Sequence, residues 1–323
     1  MNRLGITALL LGCTSFPDPD VVIDLRPLAI TATPPEQVVT VDPSAPQNPT
    51  ELLGQLVSAE VCALVADPAF ERRLRYRFTL CVYGDDARCD PDIMATIGTG
   101  VIEDPEIGPR MGTQMCATIE PNGNLLGVLT ETLKDDAFAG LGGLDYLVQL
   151  TVGGEDADPA LDELAAKMLR VSPKIPVERQ ANLNPTLDRI EAELEGREPV
   201  ELPLGRCIDQ VAPLEIAPNT RLELHPIEAA TARETYVVPT ISGASMMFTE
   251  SLTYQWLASA GGFSRGSTGG TRDIAGNFPE LFTEYRAPTA GDLDGPLDVQ
   301  LWIIQRDERY GLTWYESCVR IVP

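Results

Sequence analysis

Gly262-Phe263-Ser264-Arg265-Gly266 has the G-x-S-x-G spacing of a nucleophile elbow, in which a strand, a tight turn and a helix expose a serine for acyl transfer. The residues after Ser264, "RGSTGGTRDIAG", are too rich in glycine for the supporting helix. The chain's one histidine, His225, precedes the serine by 39 positions, against the usual order of such sites. The stretch therefore reads as a loop, and it also lacks the G-K-[ST] ending of a phosphate cradle. His225 sits in "LELHP", on or leaving a strand, and imidazole-based catalysis has no second histidine to draw on. No catalytic residue and no cofactor is expected, and the chain reads as a protein that is not an enzyme.

Three acidic clusters have the residue type that calcium requires: Asp85, Asp86, Asp90 and Asp92; Asp156, Asp158 and Asp162; and Asp292, Asp294 and Asp298. Calcium takes six to eight converging oxygens, and none of the three has the glycine and terminal glutamate of an EF-hand loop. "DLDGPLD", carrying Asp292, Asp294 and Asp298, comes nearest, and a calcium-dependent interaction module is one expectation. Paired carboxylates working with exposed aromatic residues, as in a carbohydrate-active enzyme or carbohydrate-binding module, are another.

Charge narrows the partners. Against 24 Lys and Arg stand 48 Asp and Glu, a formal net charge of −24 in 323 residues. Phosphate backbones and anionic lipid headgroups would repel such a body, so nucleic-acid binding is excluded as an expectation. Hydrophobic content of 44% still supplies a folded core of ordinary composition.

The seven cysteines are Cys13, Cys62, Cys81, Cys89, Cys116, Cys207 and Cys318. The chain opens "MNRLGITALLLGC", with Arg3 ahead of a short apolar run that fits a secretory h-region and is too short to span a bilayer. Leu10-Leu11-Gly12-Cys13 resembles the lipobox of bacterial lipoproteins. That resemblance implies cleavage before Cys13, acylation of its thiol, and attachment to a membrane through the acyl chains; Thr14 after the cysteine implies outer-membrane sorting. Assigning Cys13 to lipid leaves six cysteines, an even number for three disulfides in an oxidising compartment.

These groups must be positioned mainly by strands. β-compatible runs such as "QLVSAEVCALVADP", "RLRYRFTLCVYGDD" and "LDYLVQLTVGG" are bounded by Pro and Gly. Helical spacing predicts a helix from about Leu125, another in "DPALDELAAKML" capped by Asp158 (its end, "KMLRVSP", equally compatible with a strand), and a third in "NPTLDRIEAELEG". The expected layout is a signal peptide over 1–12, a Pro-stiffened lipidated tether over 13–22, and an N-terminal β-rich domain with helical insertions over 23–182. A linker with a short helix follows over 183–200, and a C-terminal domain over 201–323. In the last part, strand-like runs separated by Gly, Pro, Ser and Asp predict an antiparallel sandwich with a final hairpin turning near Asp307 to Gly311. Trp256 and Trp302 are expected in its core, and Trp314 at a rim.

Tyr254-Gln255-Trp256, the glycine-rich loop, "EYRAP" and the final hairpin resemble an immunoglobulin-like or PKD-like β-sandwich. The whole chain is similar in layout to surface lipoproteins of Gram-negative bacteria. The fold class expected is thus mainly β. Segregation of the cysteines by domain favours Cys207–Cys318, with Cys81–Cys89 and Cys62–Cys116 in the first domain. The resemblance implies a surface or periplasmic binding, adhesion or assembly component, with an envelope protein or polysaccharide as partner.

Overall fold

The computed structural model describes residues 18–69, 72–84, 88–102, 110–240 and 244–323. Cys13, the lipobox, and Asp85 and Asp86 lie outside the described residues. The fold is mainly β, as expected. No helix among the described residues is long and apolar enough to cross a membrane.

The first half is a sandwich of two sheets. β1 (Arg26–Thr33), β3 (Ala59–Asp67) and β6 (Arg110–Ile119) form a three-stranded antiparallel sheet with β3 at its centre. β2 (Glu36–Val39), β8 (Glu163–Pro173), β7 (Leu144–Gly154), β4 (Leu74–Tyr83) and β5 (Cys89–Ile102) form the second sheet in that order, with β2 parallel to β8. Alternate residues of both sheets, among them Val61, Ala63, Val65, Phe78, Leu80, Val148 and Leu150, meet in one apolar core. Two helices close it: α1 (Pro49–Leu53) through Leu52, and α2 (Gly123–Asp135) through Leu125, Val128 and Leu129, an i, i+3, i+4 stripe. Asn122 caps α2 by accepting from the Asn124 N–H.

The second half repeats the plan. β10 (Val200–Glu201), β9 (Leu187–Leu194), β12 (Arg221–Glu228), β18 (Thr283–Arg286) and β16 (Gly262–Phe263) make one sheet. β11 (Leu214–Ile216), β20 (Leu312–Ile321), β19 (Leu297–Arg306), β15 (Thr253–Ala258) and β17 (Ser267–Gly269) make the facing one. Trp256, Tyr254, Tyr285, Leu222 and Ile303 fill the space between them. A third apolar layer joins the halves: Leu28, Ala29, Leu64 and Ala66 from β1 and β3 pack on Leu257, Trp302, Ile304 and Leu312. β3 and β19 are therefore covered on both faces, which is why they are nearly continuous apolar runs rather than alternating ones.

All three expected disulfides form: Cys62–Cys116 across β3 and β6, Cys81–Cys89 across β4 and β5, and Cys207–Cys318 onto β20. The last hairpin turns at Asp307 to Gly311, where Asp307 Oδ1 accepts from the N–H groups of Arg309 and Gly311.

Three expectations are corrected. Residues 187–194, read as a linker helix, are strand β9. Leu187, Ile190 and Leu194 fit a helical stripe, but Ile190 and Ala192 also fit period two, and seven paired positions against β12 decide for the strand. Asp158 and Pro159 start only a single 3₁₀ turn, after which Glu163 to Val171 pair with β7, so that the strand reading of the "KMLRVSP" end extends back to Glu163. The described end of the tether is docked: Val22 donates its N–H to Ala258 O at 2.8 Å, and its side chain is buried in the joining layer.

Candidate binding site

β13 (Thr235–Pro239) and β14 (Ser245–Thr249) form a separate two-stranded ribbon that pairs with no other strand among the described residues. Tyr236 stands opposite Phe248, Val237 opposite Met247, and Val238 opposite Met246. Opposed side chains share a face, so Tyr236, Phe248, Val238 and Met246 line one side and Val237 and Met247 the other. The Tyr236 and Phe248 rings stack with centroids 5.7 Å apart. Beyond this the ribbon is uncovered: Val238 is 39% exposed, Phe248 41%, Met246 53% and Met247 70%. A two-stranded ribbon also leaves its outer backbone edges unpaired.

The root of the ribbon is held by a buried polar cluster at the seam between the halves. Glu36, at the start of β2, accepts from Ser172 Oγ and from Arg179 Nη2 at 2.7 Å through one oxygen. Through the other it accepts from Asn182 N at 2.8 Å and Arg309 Nη2 at 2.7 Å. Arg309 continues to Glu250 Oε1 at 3.3 Å, and its guanidinium lies 4.7 Å over the Tyr236 ring. Glu250 follows β14 directly, and its Oε2 accepts from the Glu234 N–H at 3.0 Å just before β13. Tyr236 donates to Glu308 at 2.6 Å. The base of the ribbon is thus clamped while its outer part projects.

Burial acts on the two glutamates with different results. For Glu36 burial alone would raise the pKa, but the Ser172 hydroxyl with Arg179 and Arg309 outweighs it and holds the carboxyl below its ordinary value. For Glu250 burial dominates, Asp307 and Glu234 add to it, and the group is pushed up to about 7. On β8, burial draws the Lys167 ammonium down to about 8, and this group donates to the Tyr310 carbonyl in the β19–β20 turn. A cleft of about 410 Å³ opens between the ribbon and this seam, lined in part by Tyr236, Val238, Arg170 and Tyr310.

The residues singled out in the sequence are distributed elsewhere. Ser264 directly follows β16, and its hydroxyl accepts from the Glu284 N–H at 3.0 Å; the next element among the described residues is strand β17 rather than a helix, so there is no elbow. His225 lies on β12, half-buried. Asp292 caps its own turn at Thr289, Asp298 forms a two-pronged ion pair with Arg320, and Asp294 is exposed. Asp158 likewise caps a turn and Asp162 pairs with Arg75. Two groups of possible metal ligands converge among the described residues, Glu60 with Cys62 and Cys116, and Glu193 with Glu223 and His225. In the first the sulfurs are spent in a disulfide. Trp256 and Trp302 are fully buried, as expected, and Trp314 is half-buried beside the joining layer.

Sequence reasoning missed the ribbon as a site. Its signal was present in Met246-Met247-Phe248, an apolar run bounded by Gly and Ser on one side and Thr and Glu on the other. Glu36 and Arg309 left no signal, being 273 positions apart.

No family model and no curated protein matches the chain. Among solved structures it is similar to the crystal structure of red sea bream transglutaminase, at 8% identity and a TM-score of 0.23. The match covers 92% of this chain, which spans 31% of that one. The matched structure is an enzyme, and the expectation that this chain is not one is withdrawn. At that TM-score and identity the likeness carries no argument for a particular activity, substrate or catalytic residue.

Proposed function

We propose that the protein is an envelope lipoprotein that binds a partner protein through the β13–β14 ribbon. One observation carries the binding reading: Val238, Met246, Met247 and Phe248 are exposed together on a ribbon of a chain whose net charge is −24. Adjacent exposed apolar side chains mark interaction surfaces, and methionine and aromatic residues are enriched there because they adapt to the partner and bury large areas. A protein suits this surface better than a polysaccharide. Trp256 and Trp302 are inaccessible, and Arg309 and Arg170 each lie over a tyrosine ring that could otherwise stack on a sugar, Tyr236 and Tyr310.

In the same reading Cys13 is the acylated first residue of the mature chain, sorted to the outer membrane, and the C-terminal sandwich is of immunoglobulin-like type. The three disulfides agree with an oxidising compartment. The test is a photo-reactive residue placed at position 247 in cells of the producing bacterium, with Leu161, 72% exposed on the other half, as control position. The expected result is one discrete adduct from position 247 and none from 161. Adducts of equal pattern from both positions, or none from either, would remove the ribbon from the account.

A further inference from the structure

On the outer face of the β10-β9-β12-β18-β16 sheet, Glu193 of β9 stands directly opposite Glu223 of β12, and Glu223 stands opposite Glu284 of β18. Like charges in opposed positions destabilise a sheet unless something compensates them. Glu284 has Arg221 at 3.5 Å. Neither Glu193 nor Glu223 has an Arg or Lys partner among the described residues; the group beside both is the chain's one histidine.

His225 follows Glu223 by two residues and so emerges on the same face. Its Nε2 lies 3.4 Å from Glu223 Oε2 and 4.0 Å from Glu193 Oε2, close enough for a charge pair but outside hydrogen-bond geometry. The nitrogen is shielded from solvent and makes no hydrogen bond. Stacking on Phe282, with centroids 5.3 Å apart, fixes the ring. The strands beneath are rigid, since Ile190, Ala192, Leu222 and Leu224 on their inner face are fully buried.

We propose that Glu193, Glu223 and His225 form a binding site for a divalent first-row transition ion of the Zn²⁺ class. The three ligand atoms lie within 4.8 Å of one another. Zinc bonds of about 2.0–2.2 Å to nitrogen and oxygen set neighbouring ligands of a tetrahedral ion about 3.4 Å apart, the separation already held between His225 and Glu223. One imidazole with two carboxylates favours zinc over magnesium or calcium, which prefer all-oxygen shells. The ion would neutralise the opposed carboxylates, and the acidic surface would raise its local concentration. This site is separate from the ribbon and does not depend on the function proposed for it.

The test uses the oxidised full chain without a histidine tag, titrated with Zn²⁺ against a chromophoric chelator in excess Mg²⁺. The expected result is one tightly bound equivalent, weakened about tenfold or more in His225→Ala and in Glu223→Gln and unchanged in Glu284→Gln. Because the chain has one histidine, its imidazole proton resonances report the site in the unmutated protein, and they should shift on adding one equivalent. An imidazole spectrum that ignores Zn²⁺, or binding equal in wild type and His225→Ala, or displacement by Mg²⁺, would each overturn the site and leave diffuse carboxylate binding in its place.

Discussion

Glu36 and Glu250 both reach Arg309, yet their different hydrogen-bond and charge partners shift their pKa values in opposite directions. Glu36 is almost fully buried between Arg179 and Arg309 with its lowered pKa, so its contribution is present above the ordinary carboxylate value and is lost as pH falls through its folded value. Removing that charge leaves two guanidinium groups undercompensated, and Glu36→Gln should cost about 3–5 kcal/mol in urea unfolding at neutral pH. A cost under about 1 kcal/mol would mean that the cluster is already balanced without it. Glu250 works the other way. Its folded pKa of about 7 lies above the ordinary value of 4.5, so the folded state holds a proton the unfolded chain releases. The stability this confers is complete below pH 4.5 and lost as pH rises through 7. Glu250→Gln should flatten that part of the curve of melting temperature against pH; an unchanged slope would assign it to other groups.

At the scale of elements, the Cys207–Cys318 bridge ties the 3₁₀ turn between β10 and β11 to the last strand of the second sandwich, closing a loop with a sequence separation of 111 residues. Replacing both cysteines by serine should lower stability by about 2–5 kcal/mol, measured by denaturant midpoint. A loss below about 1 kcal/mol would show that the sheet pairing of β20 already restrains this end. The strands around these cysteines were legible because their β-branched and apolar runs end at Pro and Gly, and segregation by domain favoured the cysteine pairing without fixing it within the first half. Helix α2 was legible too, since no strand competes for Leu125, Val128 and Leu129. β9 was not: glutamate, alanine and leucine favour helix locally, and only the partner strand β12, distant in sequence, reverses the preference. The binding ribbon escaped for a related reason. "SMMFT" has the composition of a core strand, and its exposure depends on which strands it fails to pair with.

Across the whole molecule, two sandwiches share the layer around Trp302 and Leu64, and the Asp307–Gly311 turn of the second reaches the seam of the first. The ribbon projects from this seam, with Glu36 and Arg309 bracing its base from opposite halves. An acidic body of this kind does not adhere to an anionic membrane by itself, so the proposed attachment rests on acyl chains at Cys13, each buried CH₂ adding about 0.8 kcal/mol. The most direct measurement is the intact mass and detergent-phase partition of the protein made in a lipoprotein-processing bacterium, beside Cys13→Ser. The account predicts that the wild type loses residues 1–12, gains acyl mass and enters the detergent phase while the variant stays in the aqueous one. An uncleaved chain with a free Cys13 thiol in the aqueous phase would contradict it.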